Sequence, residues 1–91
     1  MSRVSNLSRE LSSWVDGNPL RKWRAAATER ITQATVAAVV RRSAQAVRDY
    51  ESGSYRPEEE VMDGLADLIG VAPKTLKKRW TEWMDQRPEA A

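Results

Sequence analysis

The chain has neither cysteine nor histidine. That excludes disulfides, thiolate zinc sites and imidazole chemistry, so the folding energy has to come from packing. Long apolar runs are missing too. No stretch approaches the ~18 residues of a membrane span, and the N-terminus MSRVSNLSRELSSW lacks the uninterrupted apolar stretch and small-residue cleavage site of a signal peptide. The expectation is a soluble, cytoplasmic protein with no membrane partner. Strand signals are nearly absent, because apolar residues recur at spacings of three and four and no segment alternates with period two beside turn residues. The expected class is all-α, without internal repeats or low-complexity runs.

What is present is 91 residues, enough for one domain with a modest core. The net charge of +2 conceals an asymmetry: residues 1–50 hold nine Arg/Lys against four Asp/Glu, and residues 51–91 hold six against nine. A basic front half suits an anionic partner, although a mixed-charge solvated surface accounts for the composition equally well.

Helix signals follow one another along the chain. NLSRELSSWVDG places Leu7, Leu11, Trp14 and Val15 on one stripe, with Ser5 or Asn6 as N-cap and Gly17 past the end. In NPLRKWRAAATER, Asn18 can cap and Pro19 sits at the first helical position, where its missing N–H costs nothing; the apolar side would hold Leu20, Trp23 and Ala27. After the turn-forming SGSYRPEEE, the segment PEEEVMDGLADLIG puts three glutamates in its first turn, at the positive end of the helix dipole, with Val61, Leu65, Leu68 and Ile69 inward and Gly70 as terminator. A last helix from Pro73 to about Asp85 carries Leu76, Trp80, Trp83 and Met84 on one side and the basic KTLKKR on the other. QRPEAA, residues 86–91, reads as a disordered tail.

Between these lies TQATVAAVVRRSAQAVRDYESG, residues 32–53, which periodicity reads in two ways. Val36, Val40, Ser43, Val47 and Tyr50 would line one face of an unbroken helix. Thr32 and Ser43 are both good N-caps, however, each followed by a glutamine, Gln33 and Gln45, near the start of a prospective short helix. Two helices of roughly nine residues joined by a tight turn at Arg41 and Arg42 would make a helix-turn-helix.

Residues 32–76 resemble the helix-turn-helix domain of the phage repressor and Cro family, in register and without a gap. Thr32-Gln33 matches its opening, Val36-Ala37 its apolar residue and small alanine where the two helices touch, and Ser43, Val47, Tyr50, Glu51 and Gly53 its later marks. YRP at 55–57 resembles the family's basic residue before proline, and GLADLIGVAPKTL its fourth helix and the start of its fifth. The resemblance implies a lambda-repressor-like domain of about five helices over residues 18–85, here preceded by an extra N-terminal helix over 1–17. Three departures stand out. Arg41 occupies the usual glycine of the turn, where a left-handed non-glycine residue costs on the order of 1 kcal/mol. Arg42 occupies an aliphatic position, and Ala26 the place of an arginine that pairs with the glutamate matched by Glu51; Arg24 or Arg30 would have to substitute.

The resemblance also implies that the helix from about Ser43 to Tyr50 enters a DNA major groove. Its outward positions would be Ala44, Gln45, Arg48 and Asp49. Gln45 can bond adenine at two edges, Arg48 can bond guanine or hold phosphate, Asp49 can accept from cytosine and Ala44 can touch a thymine methyl. An ordinary solvated helix face is the competing reading. Gln33 would meet a phosphate through its side chain or the N–H groups of its helix start, with Thr32 as the cap, and Arg41 and Arg42 add positive charge nearby. Arg56 matches a residue that reaches the DNA backbone or minor groove.

Four tryptophans in a chain this size are many, and none lies on the candidate DNA helix. Trp80 or Trp83 would close the core. Two large aromatics on one terminal helix exceed that need, so Trp80, Trp83 and Met84 form a candidate partner interface. Family members often pair through this last helix, which implies a homodimer on a palindromic operator.

The leading expectation is a sequence-specific, nucleoid-associated transcriptional regulator of the small phage repressor or Cro type, acting on double-stranded DNA. One alternative is an antitoxin-type regulator that spends the N-terminal helix or the tryptophans on a toxin partner. Another is a protein-interaction module that has lost operator binding, with the two turn arginines as its sign. Catalysis is not expected: there is no His, Cys or phosphate-binding glycine loop, and the PEEE carboxylates read as helix-start charges. No cofactor and no metal are expected either.

Overall fold

Asn18 and Pro19 show how local chemistry sets the helix boundaries. The Asn18 side chain accepts from the Leu20 and Arg21 N–H groups at 3.0 Å each, and Pro19 occupies the first helical position, as expected. The computed structural model describes the backbone of residues 3–88 and side chains from Arg9 onward. Six helices follow in order: α1 Arg3–Asp16, α2 Pro19–Ala26, α3 Gln33–Val40, α4 Ala44–Ser52, α5 Glu59–Ile69 and α6 Pro73–Asp85. Among the described residues there is no strand, and no helix is long and apolar enough to cross a membrane. The fold is all-α.

The ambiguous stretch forms two helices. Thr32 caps α3 by accepting from the Thr35 N–H at 3.1 Å, and Ser43 caps α4 by accepting from the Ala46 N–H at 3.0 Å. Between them Arg41 takes the left-handed conformation at φ 57°, ψ 46°. It is the only non-glycine residue with positive φ among those described. Its N–H and that of Arg42 both return to the Ala37 carbonyl, closing α3 as a glycine would, at the strain cost of a Cβ. Gly53 and Gly70 end α4 and α5 in the same conformation without that cost.

One core joins all the helices. Val36, Ala37 and Val40 of α3 are buried together with Val47 and Tyr50 of α4, and Leu20 of α2, fully enclosed, contributes about 1.5–3 kcal/mol by leaving water. The inward face of α5 is rotated from the expected one. Met62 and Ala66 are buried beside Val61 and Leu65, whereas Leu68 and Ile69 are only half-buried, because α5 packs against both α3 and α6.

The N-terminal helix begins before the expected cap. Ser5 and Asn6 lie inside α1, and the Leu7 side chain falls outside the described ones. Of the expected tail, residues 86–91, the first three are described. Gln86 closes α6, and the Arg87 guanidinium sits 5.4 Å from the centre of the Trp14 ring; residues 89–91 lie outside the described ones.

The tryptophans correct the sequence reading most. Trp80 is fully enclosed and Trp83 only 5 % exposed, so neither faces outward from α6, and Met84 is half-buried. Trp83 lies parallel to Trp14 of α1, with ring centres 4.2 Å apart and planes within 3°, and meets Trp80 edge-on at 5.9 Å. These aromatics are spent inside the chain, and α1 is part of the core through Trp14 rather than an appendage. The Trp80 Nε1–H has no partner among the described residues.

Candidate nucleic-acid interface

The residues singled out from the sequence fall into three clusters around α3 and α4. The first lies on the outer face of α4, where Gln45 and Arg48 are exposed while Val47 and Tyr50 on the opposite face are buried. Arg48 Nη1 donates to Gln45 Oε1 at 2.7 Å, and Gln45 Nε2 donates to Asp49 Oδ1 at 3.0 Å. These contacts at spacings of three and four lay an unbroken donor–acceptor chain along the helix surface. Ala44 and Asp49 are half-buried rather than fully outward, Ala44 packing against the core. This face can offer an amide and a guanidinium to base edges, both held by neighbours yet open to exchange.

The second cluster surrounds Glu51. Glu51 is 1 % exposed, and its carboxylate accepts from Arg24 Nε at 2.7 Å and Nη2 at 2.6 Å, a two-pronged pair. Arg24 also donates to the Ile31 carbonyl at 3.0 Å. Its bond to Glu51 raises the guanidinium pKa against the opposing effect of burial. Arg24, and not Arg30, therefore fills the role left open by Ala26. Gln33 Nε2 donates to Glu51 Oε1 at 3.0 Å, which turns that amide inward. At this helix start the Thr35 N–H is already taken by the Thr32 cap.

The third cluster is the turn itself. Arg41 is exposed. Arg42 is folded back: Nη2 donates to Glu60 Oε1 at 2.7 Å, Nη1 donates to the Arg41 carbonyl at 3.0 Å, and Nε lies 3.7 Å from Glu58 Oε2. The glutamates at the start of α5 thus offset a charge that the sequence left free for phosphate. Glu58 also accepts from the Tyr50 hydroxyl at 3.1 Å, so the turn, α4 and the start of α5 share one network. Burial and that bond push the Tyr50 hydroxyl above its ordinary value of 10.0. Arg56, exposed, makes one long contact to the Lys77 carbonyl at 3.4 Å.

Sequence reasoning missed three features: the Arg42–glutamate pairing, the inward turn of Gln33 and the Trp14–Trp83 stack. The first had a signal, since three consecutive glutamates beside a basic turn invite pairing. The stack joins residues too far apart in sequence for any local pattern to mark it. Among the described residues no cluster of His, Cys, Asp and Glu could hold a metal ion.

A family model described as a helix-turn-helix domain matches residues 17–80, from the residue before the α2 cap to the middle of α6. Comparison with curated proteins and with solved structures found no significant match. With two capped helices meeting at a left-handed residue inside a family match that spans most of the chain, the protein belongs to the helix-turn-helix domain family of DNA-binding proteins.

Proposed function

We propose that the protein is a sequence-specific transcriptional regulator, most like a small phage repressor or Cro protein, that reads a DNA major groove with α4. One observation carries this reading. The turn at Arg41 separates α3 from α4, so that α4 buries Val47, Tyr50 and Glu51 while exposing Gln45 and Arg48. Gln45 and Arg48 would contact base edges, with Asp49 and Ala44 at the margin of the same face. Thr32, Gln33 and Ser43 mark the helix starts where backbone N–H groups would meet phosphates, and Arg41 and Arg56 would add exposed positive charge. Arg42 would serve the turn more than the phosphates, because Glu58 and Glu60 hold it.

The alternatives draw less support. A module that has lost DNA binding was suggested by the turn arginines, yet Arg41 adopts the conformation that the turn requires. An antitoxin-type protein would spend α1 or its tryptophans on a partner; Trp14, Trp80 and Trp83 are spent inside the chain, and Trp23 alone of the four is half-buried. A homodimer on a palindromic site, which the family resemblance implies, would need a surface other than Trp80 and Trp83.

Selection of binding sites from fragments of the source genome, followed by titration over a range of salt, tests the proposal. Specific enrichment is expected, with log affinity falling by about 0.9 per phosphate contact against log salt. No enrichment, or binding indifferent to salt, would overturn it.

A further inference from the structure

Gly53, the left-handed cap that ends α4, sits under two indole rings. A Cβ added there would lie 2.4 Å from Trp14 Cη2, 3.1 Å from Trp14 Cζ3 and 3.3 Å from Trp83 Cη2. Those rings are fixed to one another. They stack at 4.2 Å, Trp14 Nε1 donates to the Trp83 carbonyl, and Trp83 Nε1 donates to the Trp14 carbonyl, both at 2.6 Å. The last turn of α1 and the last turn of α6 are thereby tied together over the main chain at the end of α4. Two further ties reach the same end from the cap and the last turn of α2: Asn18 Nδ2 donates to the Tyr50 carbonyl at 3.5 Å, and Arg24 grips Glu51.

On the reading of α4 as the DNA-reading helix, we propose that Trp14 is a positioning residue for DNA recognition: stacked on Trp83 over Gly53, it sets the angle at which α4 presents its outer face, Gln45 above all. None of the three clamp residues reaches the exposed face of α4, so the effect is on geometry and not on contact. Val47, fully buried in the middle of α4, supplies a pivot. Nine residues of α-helix span about 13 Å, and a shift of about 1 Å at one end moves the other by a similar distance about a central pivot. A positioned set of hydrogen-bonding groups tolerates about 0.5 Å. The N-terminal helix α1, all of which precedes the family match, therefore takes part in recognition without touching DNA.

The test uses the full chain with Trp14→Ala and Trp14→Phe, a duplex selected from a random pool by the wild-type protein, and a scrambled duplex of the same length. For Trp14→Ala, Kd on the selected duplex should rise about tenfold while Kd on the scrambled duplex stays within about twofold. The salt slope should not change, because no phosphate contact is lost. Trp14→Phe keeps a ring on Trp83 but loses the Nε1 bond, and should lower the ratio of the two affinities about threefold. Simple loss of stability would reduce the active fraction and weaken both duplexes by one common factor. Equal factors on both, or no change on either, overturn the proposal; if Trp14→Ala does not fold, an unchanged ratio for Trp14→Phe overturns it. A wild-type protein that selects no duplex removes the reading of α4 itself, a different result from a preference that survives loss of Trp14.

Discussion

The two ends of α4 are built on opposite principles. At its C-terminal end Tyr50, Glu51 and Gly53 are buried and gripped by Trp14, Asn18, Arg24 and Glu58, residues drawn from α1, the α2 cap, α2 and the α5 cap. At its N-terminal end Gln45, and at its centre Arg48, are exposed and bond only within the helix. Nine residues thus divide into an end that is held and an end that is free to exchange partners. A reading helix needs both, since side chains can trade intramolecular bonds for base edges with little loss only if the backbone beneath them stays in place.

The largest expected effect is at the held end. Gly53→Ala adds a Cβ inside contact distance of Trp14 and imposes a side chain at φ 81°, so denaturant unfolding should show a loss of about 3 kcal/mol, from strain and overpacking together. A loss under ~1 kcal/mol would mean that the clamp yields and the contrast between the ends is weaker than drawn. Glu51→Gln, which leaves Arg24 with half its pair, should cost about 2 kcal/mol, below the usual figure for a buried pair because the guanidinium reaches the surface.

At the free end the effect moves from stability to DNA. Gln45→Ala should leave unfolding unchanged and cost on the order of 1.5 kcal/mol on a selected site, relaxing preference at one base position. Equal losses on selected and random DNA would show that the exposed end does not read. Smaller still, Arg41→Gly should stabilise the fold by about 1 kcal/mol by releasing left-handed strain, and should lower the salt slope by about 0.9 if Arg41 meets a phosphate. A fall in melting temperature would contradict the left-handed turn.

The smallest effect is on pH dependence. With the folded-state pKa of Tyr50 raised by burial and by its bond to Glu58, the folded state favours the neutral hydroxyl. That stability is full below pH 10.0 and is lost as pH rises through the higher folded value. Tyr50→Phe should flatten this alkaline loss, measured as unfolding midpoints on either side of pH 10.0. An identical alkaline slope in the variant would assign the loss to other groups.

Whatever depends on neighbours along the chain is legible from the residues alone. Thr32, Ser43 and Asn18 cap their helices through side-chain oxygens that reach N–H groups two or three residues on. Gly53 and Gly70 end helices because they alone take positive φ without strain, and the competition between one helix and two at Arg41 could be posed from caps and periodicity. Helix packing settled the matters that depend on how helices cross. It chose Arg24 over Arg30 as the partner of Glu51, because α2 ends at Ala26 and carries Arg24 towards α4 while Arg30 lies in the following loop. It gave Arg42 to Glu58 and Glu60 and rotated α5 onto Met62 and Ala66. It also turned Trp83 from a candidate partner surface into half of a stack with Trp14, 69 residues away. A cap is satisfied within one turn of chain, whereas an aromatic stripe records only that a face must be covered, and which residue covers it is settled when the helices pack.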